Sequence, residues 1–169
     1  MYWDGIFSRV RILFVCMGNI CRSPTAEAVM RSILDQEGLD GRVEVDSAGT
    51  GGWHAGEPPD PRAVAAASAR GIELDHTARQ VTSADFGLFD LLLAMDPDNL
   101  RELRRMAPDD EALGRARLLR EYDPAAGRQD SLAVPDPYYG GESHFEEVLD
   151  LVGTACRGLV AELRTQGRV

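Results

Sequence analysis

The segment Cys16-Met17-Gly18-Asn19-Ile20-Cys21-Arg22-Ser23 places a thiol and a guanidinium at the two ends of one short loop. Together those groups suit the chemistry of a tetrahedral oxyanion. A guanidinium presents a planar fork that grips two oxygens at once. A thiol in the same positive field is favoured as thiolate, which is the form that attacks. Gly18 permits a tight turn and a close backbone approach. Asn19 tolerates left-handed geometry and can tie the loop down through its amide. Ser23 can donate a hydrogen bond to the sulfur and help it leave. Met17, Ile20 and Cys21 complete the ring of backbone that would face the anion. A lone cysteine ending a strand is often inert, but that reading leaves Arg22, Gly18 and the Ser23-Pro24 helix start unexplained. The bare pattern of a Cys and an Arg six positions later is a weak signal; the full string at a strand–helix junction is a strong one.

Transfer of a phosphoryl group to Cys16 would expel an alkoxide or phenolate, and a positioned acid should protonate it. Asp136 is the candidate, held between Pro135 and Pro137 in a stiff stretch of chain. Spacing alone favours a plainer role, because Asp-Pro commonly begins turns. Asp123-Pro124 is the competing pair and reads as such a turn.

The elements that must position these residues follow from the pattern of apolar side chains. Ile12 to Val15 is a short continuous apolar run, as expected of a buried parallel strand. A helix follows with Pro24 near its start, Ala26, Val29, Met30, Ile33 and Leu34 on one face, and Gly38 past its end. A second strand is expected over about 43–48, then a Gly/Pro-rich loop to Pro59. The next helix has Asp60 as N-cap, Pro61 at its first position and Gly71 as its stop. Leu91 to Ala94 reads as a third strand, and Asp96-Pro97 opens a helix to about Met106. A fourth strand is expected near 116–119, with a long loop from Arg120 to Glu142 behind it. The last helix is expected to begin at Ser143, with Glu146 completing a capping box. Its apolar stripe includes Phe145, Val152, Cys156 and Leu163. This alternation predicts a single α/β domain: a four-stranded parallel sheet with helices on both faces. In such sheets ligands bind beyond the carboxyl ends of the strands, which is where the Cys16–Ser23 turn falls.

Composition narrows the class. The 169 residues suffice for one core, with 1–8 read as an N-terminal extension and 9–169 as the domain. A net charge of −10 argues against a nucleic-acid partner. No apolar run suits a membrane span, and the start lacks the pattern of a signal peptide. Three cysteines, with no paired C-x-x-C sites and no histidine cluster, predict a reducing, cytoplasmic setting, no metal and no cofactor.

The string Val15 to Pro24 closely resembles the phosphate loop of low-molecular-weight protein tyrosine phosphatases. Further matching motifs follow in family order: Asp46-Ser47-Ala48-Gly49-Thr50, Asp60-Pro61-Arg62, His76-Thr77-Ala78-Arg79-Gln80, Met95-Asp96 and Asp136-Pro137-Tyr138-Tyr139-Gly140. The resemblance runs from about Arg9 to the end of the last helix. It implies hydrolysis of phosphotyrosine in protein substrates, with Cys16 as nucleophile, Arg22 on the phosphate and Asp136 as acid and then base. It implies inhibition by inorganic phosphate and similar oxyanions. Trp53 and Tyr138 would form the walls of the ring slot, and Asn19, Ser47 and His76 would brace the loop. His54 and His144 read as surface residues, and Cys156 as core. The resemblance also implies that Cys16 and Cys21 can form a reversible disulfide, and in related proteins a tyrosine at the place of Tyr139 can be phosphorylated.

Three rivals are weighed against this. An arsenate reductase of the same fold needs relay cysteines, and the stretch from Gly71 to Asp90 holds none. A protein-arginine phosphatase carries Thr in the loop position that Ile20 occupies here. A phosphocarrier of a sugar transport system would not need a water-activating acid such as Asp136.

Overall fold

A computed structural model describes residues 9–126 and 132–169. The extension 1–8 lies outside the described residues. The sheet is built from β1 (Val10–Cys16), β2 (Val43–Gly49), β3 (Leu91–Ala94) and β4 (Ala116–Leu118), all parallel, in the order β2-β1-β3-β4. β1 is central and buried on both faces, which is why it reads as a continuous apolar run rather than an alternating one. Its side chains divide with period two. Ile12 and Phe14 enter one apolar cluster, while Leu13 and Val15 enter the other. All four are fully buried, and each contributes about 1.5–3 kcal/mol.

Helices cover both faces, as expected. On one side lie α1 (Arg22–Gln36), α2 (Pro61–Ala69) and α6 (Glu142–Thr165). On the other lie α3 (Asp85–Leu88), α4 (Pro97–Met106) and α5 (Asp110–Arg115). α2 starts where Asp60 Oδ1 accepts the Arg62 N–H at 2.8 Å. Gly71 follows the helix with φ +73°, the left-handed geometry that glycine adopts freely. Among the described residues no helix is long and apolar enough to cross a membrane.

The structure differs from expectation at three places. The capping box of α6 is absent: Gly141 is the N-cap and no side chain caps the helix. Ser143 lies inside the helix, and the Glu146 carboxylate is bonded instead to Arg70, the residue just past α2. A formal charge partner outcompetes a backbone N–H for that carboxylate. Two short helices, α3 and α5, were not expected. The loop after β4 begins with a 3₁₀ turn over Leu119–Tyr122.

The chain leaves β1 toward β2 and later crosses back to β3 on the other side of β1. The carboxyl ends of β1 and β3 therefore flank the switch point at which α/β sheets bind ligands. The residues following them are Met17–Cys21 and Met95–Asp96.

Candidate active site

The loop after β1 is held by its carbonyls. Cys16 O accepts from Thr50 N at 2.8 Å, Met17 O from Gly51 N at 3.0 Å and Ile20 O from Asp60 N at 2.8 Å. Cys21 O accepts from Thr25 Oγ1 at 2.6 Å. A trans peptide points its N–H opposite to its C=O. With these carbonyls turned outward, the amides of Met17, Gly18, Cys21 and Arg22 face the hollow of the loop. The loop also runs into the N-terminus of α1, whose first amides lack intrahelical partners and carry partial positive charge. Gly49 makes this docking possible: a Cβ there would lie 2.7 Å from the Met17 carbonyl oxygen.

Cys16 sits within this hollow with its sulfur 3.0 Å from Ser23 Oγ, and Asn19 N donates to it at 3.3 Å. The Arg22 side chain is only 5 % exposed. Its Nη1 donates to Asp96 Oδ2 at 2.6 Å and to Val134 O at 3.1 Å. Asp96 does two jobs, since its other oxygen caps α4 through Asn99 N at 2.8 Å. Burial alone would pull the Arg22 guanidinium down, but Cys16, Asp96 and Asp136 around it outweigh this, and the net direction is up.

Asn19 is the single non-glycine residue with positive φ among those described, at 58°. Its NH₂ donates to Ser23 Oγ at 2.8 Å and to Ser47 Oγ at 3.0 Å. Its oxygen accepts from Arg79 N at 3.0 Å and lies 2.8 Å from His76 Nε2. The two hydroxyls, the imidazole and the loop are thus tied into one buried network, whose polar groups strengthen one another where water is excluded.

Glu27 extends that network beneath α1. It is 3 % exposed, and its Oε1 accepts from Ser47 Oγ at 3.0 Å and lies 3.3 Å from His76 Nδ1. Burial pushes its carboxyl up to about 7 and pushes His76 down. Both shifts favour neutral forms, so near neutral pH the contact behaves more as a hydrogen bond than as an ion pair. Glu27, Asp46 and His76 bring their donor atoms within 4.8 Å of one another. The two carboxylates are already matched by Arg31 and Arg79 at 3.1 Å, which disfavours a further cation.

Asp136 enters from the segment after the undescribed residues 127–131. Its Oδ2 lies 3.8 Å from Arg22 Nη2, and Oδ1 accepts from Tyr138 N at 3.1 Å. Trp53, Tyr138 and Tyr139 stand around the mouth of a cleft of about 280 Å³ whose floor is the Cys16–Arg22 loop. An open slot of this shape can admit a flat ring to a phosphate bound below. Tyr138 and Tyr139 meet edge to face at 4.9 Å.

The structure therefore gathers Cys16, Arg22, Asp136, Trp53, Tyr138, Ser47 and His76 at one end of the sheet. Asp123 stands apart as a turn residue, accepting from Ala125 N at 2.8 Å. Cys156 is fully buried. Cys21 is a free thiol; burial, then Asp60, pushes it up to about 12. His54 is not a plain surface residue. It lines the cleft, its ring would meet a Cβ at Gly18 at 3.0 Å, and Nδ1 lies 2.7 Å from Glu57 Oε2.

The sequence does not single out Glu27, and it marks Asp96 as a helix start and part of a matching motif without pairing it to Arg22. A carboxylate immediately past a buried strand at a switch point was a usable signal for Asp96. Glu27 offered little, being one acid beside an apolar stripe.

The family model described as low molecular weight phosphotyrosine protein phosphatase matches residues 11–169. A low molecular weight protein-tyrosine-phosphatase of Streptomyces coelicolor is 53% identical over 156 residues, covering 92% of this chain and 94% of that one. The low molecular weight phosphotyrosine protein phosphatase of Homo sapiens is 43% identical over 150 residues, covering 88% and 92%. Among solved structures, a protein tyrosine phosphatase from Entamoeba histolytica with Hepes in the active site superposes with a TM-score of 0.87 at 38% identity, covering 95% of this chain and 99% of that one. With this loop, this sheet order and matches spanning nearly all of its length, the chain belongs to the low molecular weight phosphotyrosine protein phosphatase family.

Proposed function

We propose that the chain hydrolyses phosphotyrosine in protein substrates through a phosphocysteine intermediate. The observation that carries this is the placement of the Cys16 sulfur in a ring of inward amides, 3.0 Å from Ser23 Oγ, with Arg22 and Asp136 converging on the same hollow. The sulfur attacks phosphorus in line with the tyrosyl oxygen. The S–P bond forms as the P–O bond breaks, and Asp136 gives its proton to the departing phenolate. The loop amides and Arg22 stabilise the equatorial oxygens, where charge is spread in the transition state. In the second step Asp136, now ionised, takes a proton from water as that water attacks phosphorus. Cys16 leaves as thiolate, supported by the Ser23 hydroxyl.

The substrate ring fits between Trp53 and Tyr138, and Ile20 gives the slot an apolar floor better suited to a phenyl ring than to a guanidinium phosphate. This favours phosphotyrosine over phosphoarginine. Three free cysteines and a net charge of −10 favour action in the cytoplasm, away from nucleic acid and membrane surfaces. The test is a side-by-side measurement of rates on phosphotyrosine, phosphoserine and phosphoarginine peptides. Preference for phosphotyrosine with inhibition by vanadate is expected, and equal or faster release from phosphoarginine would overturn the reading.

A further inference from the structure

Arg62 takes no part in the steps above, yet its side chain spans the gap between the two halves of the site. At its near end it is gripped by the α2 N-cap: Asp60 Oδ1 accepts from Nε at 3.1 Å and Oδ2 from Nη2 at 2.8 Å, a two-pronged pairing. At its far end Nη2 donates to Tyr138 O at 2.9 Å and Nη1 to Gly140 O at 3.4 Å. Its plane lies over Phe145 of α6, 4.8 Å from the ring centre, and 5.6 Å from that of Tyr138. Both ends continue into the site. The Asp60 N–H is bonded to Ile20 O of the Cys16 loop at 2.8 Å. The Tyr138 N–H is bonded to Asp136 Oδ1 at 3.1 Å. One chain of hydrogen bonds therefore runs from the anion-holding loop, through Asp60 and Arg62, to the carboxyl that faces it.

We propose that Arg62 is a positioning residue, a strut that holds the segment bearing Asp136 and Tyr138 at a fixed height over Cys16. This rests on the reading of Asp136 as the proton donor. The requirement is specific to arginine. A lysine carries one point charge and cannot reach Asp60 and two carbonyls together, whereas the guanidinium has donors on both edges. Without the strut the Asp136 segment keeps its anchor at Val134, whose N–H bonds to Met95 O at 2.7 Å, and loses the one beyond Tyr138. The acid would then be present but displaced, and the anion cradle, held by its own carbonyls, would be intact.

A positioning role for the acid has a signature that general loosening does not. Protonation matters most when the leaving group is a poor one. In the full-length protein, Arg62→Met keeps a stem to pack on Phe145 and removes every donor, while Arg62→Lys keeps the charge. Both are compared with the parent by kcat/KM on phenyl phosphate and on the more activated para-nitrophenyl phosphate, with the inhibition constant of inorganic phosphate as the check on the cradle. The expected result is a loss of about tenfold on phenyl phosphate and of less than about threefold on para-nitrophenyl phosphate, with phosphate inhibition unchanged. Equal losses on both substrates, no loss, or weakened phosphate inhibition would overturn the strut. Asp136→Asn is run alongside. If it steepens the leaving-group dependence and the Arg62 variants do not, only the strut falls. If it does not steepen it, the assignment of the acid falls as well.

Discussion

The two sides of the cleft are built differently. In the Cys16–Ser23 loop the polar side chains are buried and bonded: Asn19 is 1 % exposed, Ser23 is fully buried, and their partner Ser47 is fully buried too. Across from it, the Asp136 side chain is 41 % exposed, Tyr139 stands almost entirely in solvent, and the segment is tied by a few bonds through Val134, Tyr138 and Gly140. The contrast separates two demands. Charge that develops on a transferring phosphoryl group is best met by dipoles that need no reorganisation. A proton donor must approach leaving groups of varied shape and then make way for water. The first demand favours a finished cradle, and the second an arm that is aimed but still movable.

Each side can be attacked separately. The largest effect belongs to the nucleophile proposed for the cradle. Cys16→Ser should lower kcat by at least ~10⁴-fold, while phosphate still binds because the amides and Arg22 remain. Binding is read by calorimetry, and retention of full activity would end the phosphocysteine mechanism. Next is the arm. Asp136→Ala should cost ~10²–10⁴-fold in kcat/KM on aryl phosphates with poor leaving groups, with little change in thermal stability, since the side chain is half exposed. The reverse pattern is expected from Asn19→Ala. That change removes bonds to Ser23, Ser47, His76 and Arg79 N and leaves an alanine at φ 58°. It should destabilise the fold by about 2–4 kcal/mol in urea unfolding. An Asn19→Ala variant as stable as the parent would show the cradle to be less rigidly built than its bonds imply.

The smallest effect concerns Glu27 and is read against pH. Its folded carboxyl is raised from 4.5 to about 7, so the native state holds the proton more tightly than the unfolded chain does. That contribution is complete below about pH 4.5 and is lost as pH rises through about 7. His76 is shifted the other way and offsets part of it. Glu27→Gln, which cannot ionise, should therefore gain about 3 kcal/mol on the parent between pH 4.5 and pH 8, His76 being common to both. Parallel stability curves across that range would mean the carboxyl is not held neutral.

Much of the cradle was legible because its information is local. Strand, glycine, arginine and helix start lie in one unbroken string, so the alternation of apolar residues and the turn chemistry position Cys16 and Arg22 without knowledge of the rest. The arm was not legible in that way. Asp136 stands 120 positions from Cys16 in the chain; its flanking prolines made it a candidate, but spacing alone favoured a turn residue, and the resemblance tipped the reading. The same limit hid Asp96 as the partner of Arg22 and Arg62 as the partner of Tyr138, since each pair is joined across more than 70 positions. The absent capping box teaches the converse. Ser143 and Glu146 satisfy a local rule, but Arg70 reaches Glu146 from 76 positions away and takes the carboxylate that the rule required.

Position 19 faces an unusually short list of acceptable residues. Its backbone must turn left-handed, its side chain must supply an acceptor to one amide, and a second atom of the same planar group must donate to two hydroxyls. Glycine meets the first condition and neither of the others. Aspartate has no N–H to give, and glutamine carries its amide one methylene too far out. Random replacement at this codon followed by selection for turnover should accordingly return asparagine almost alone.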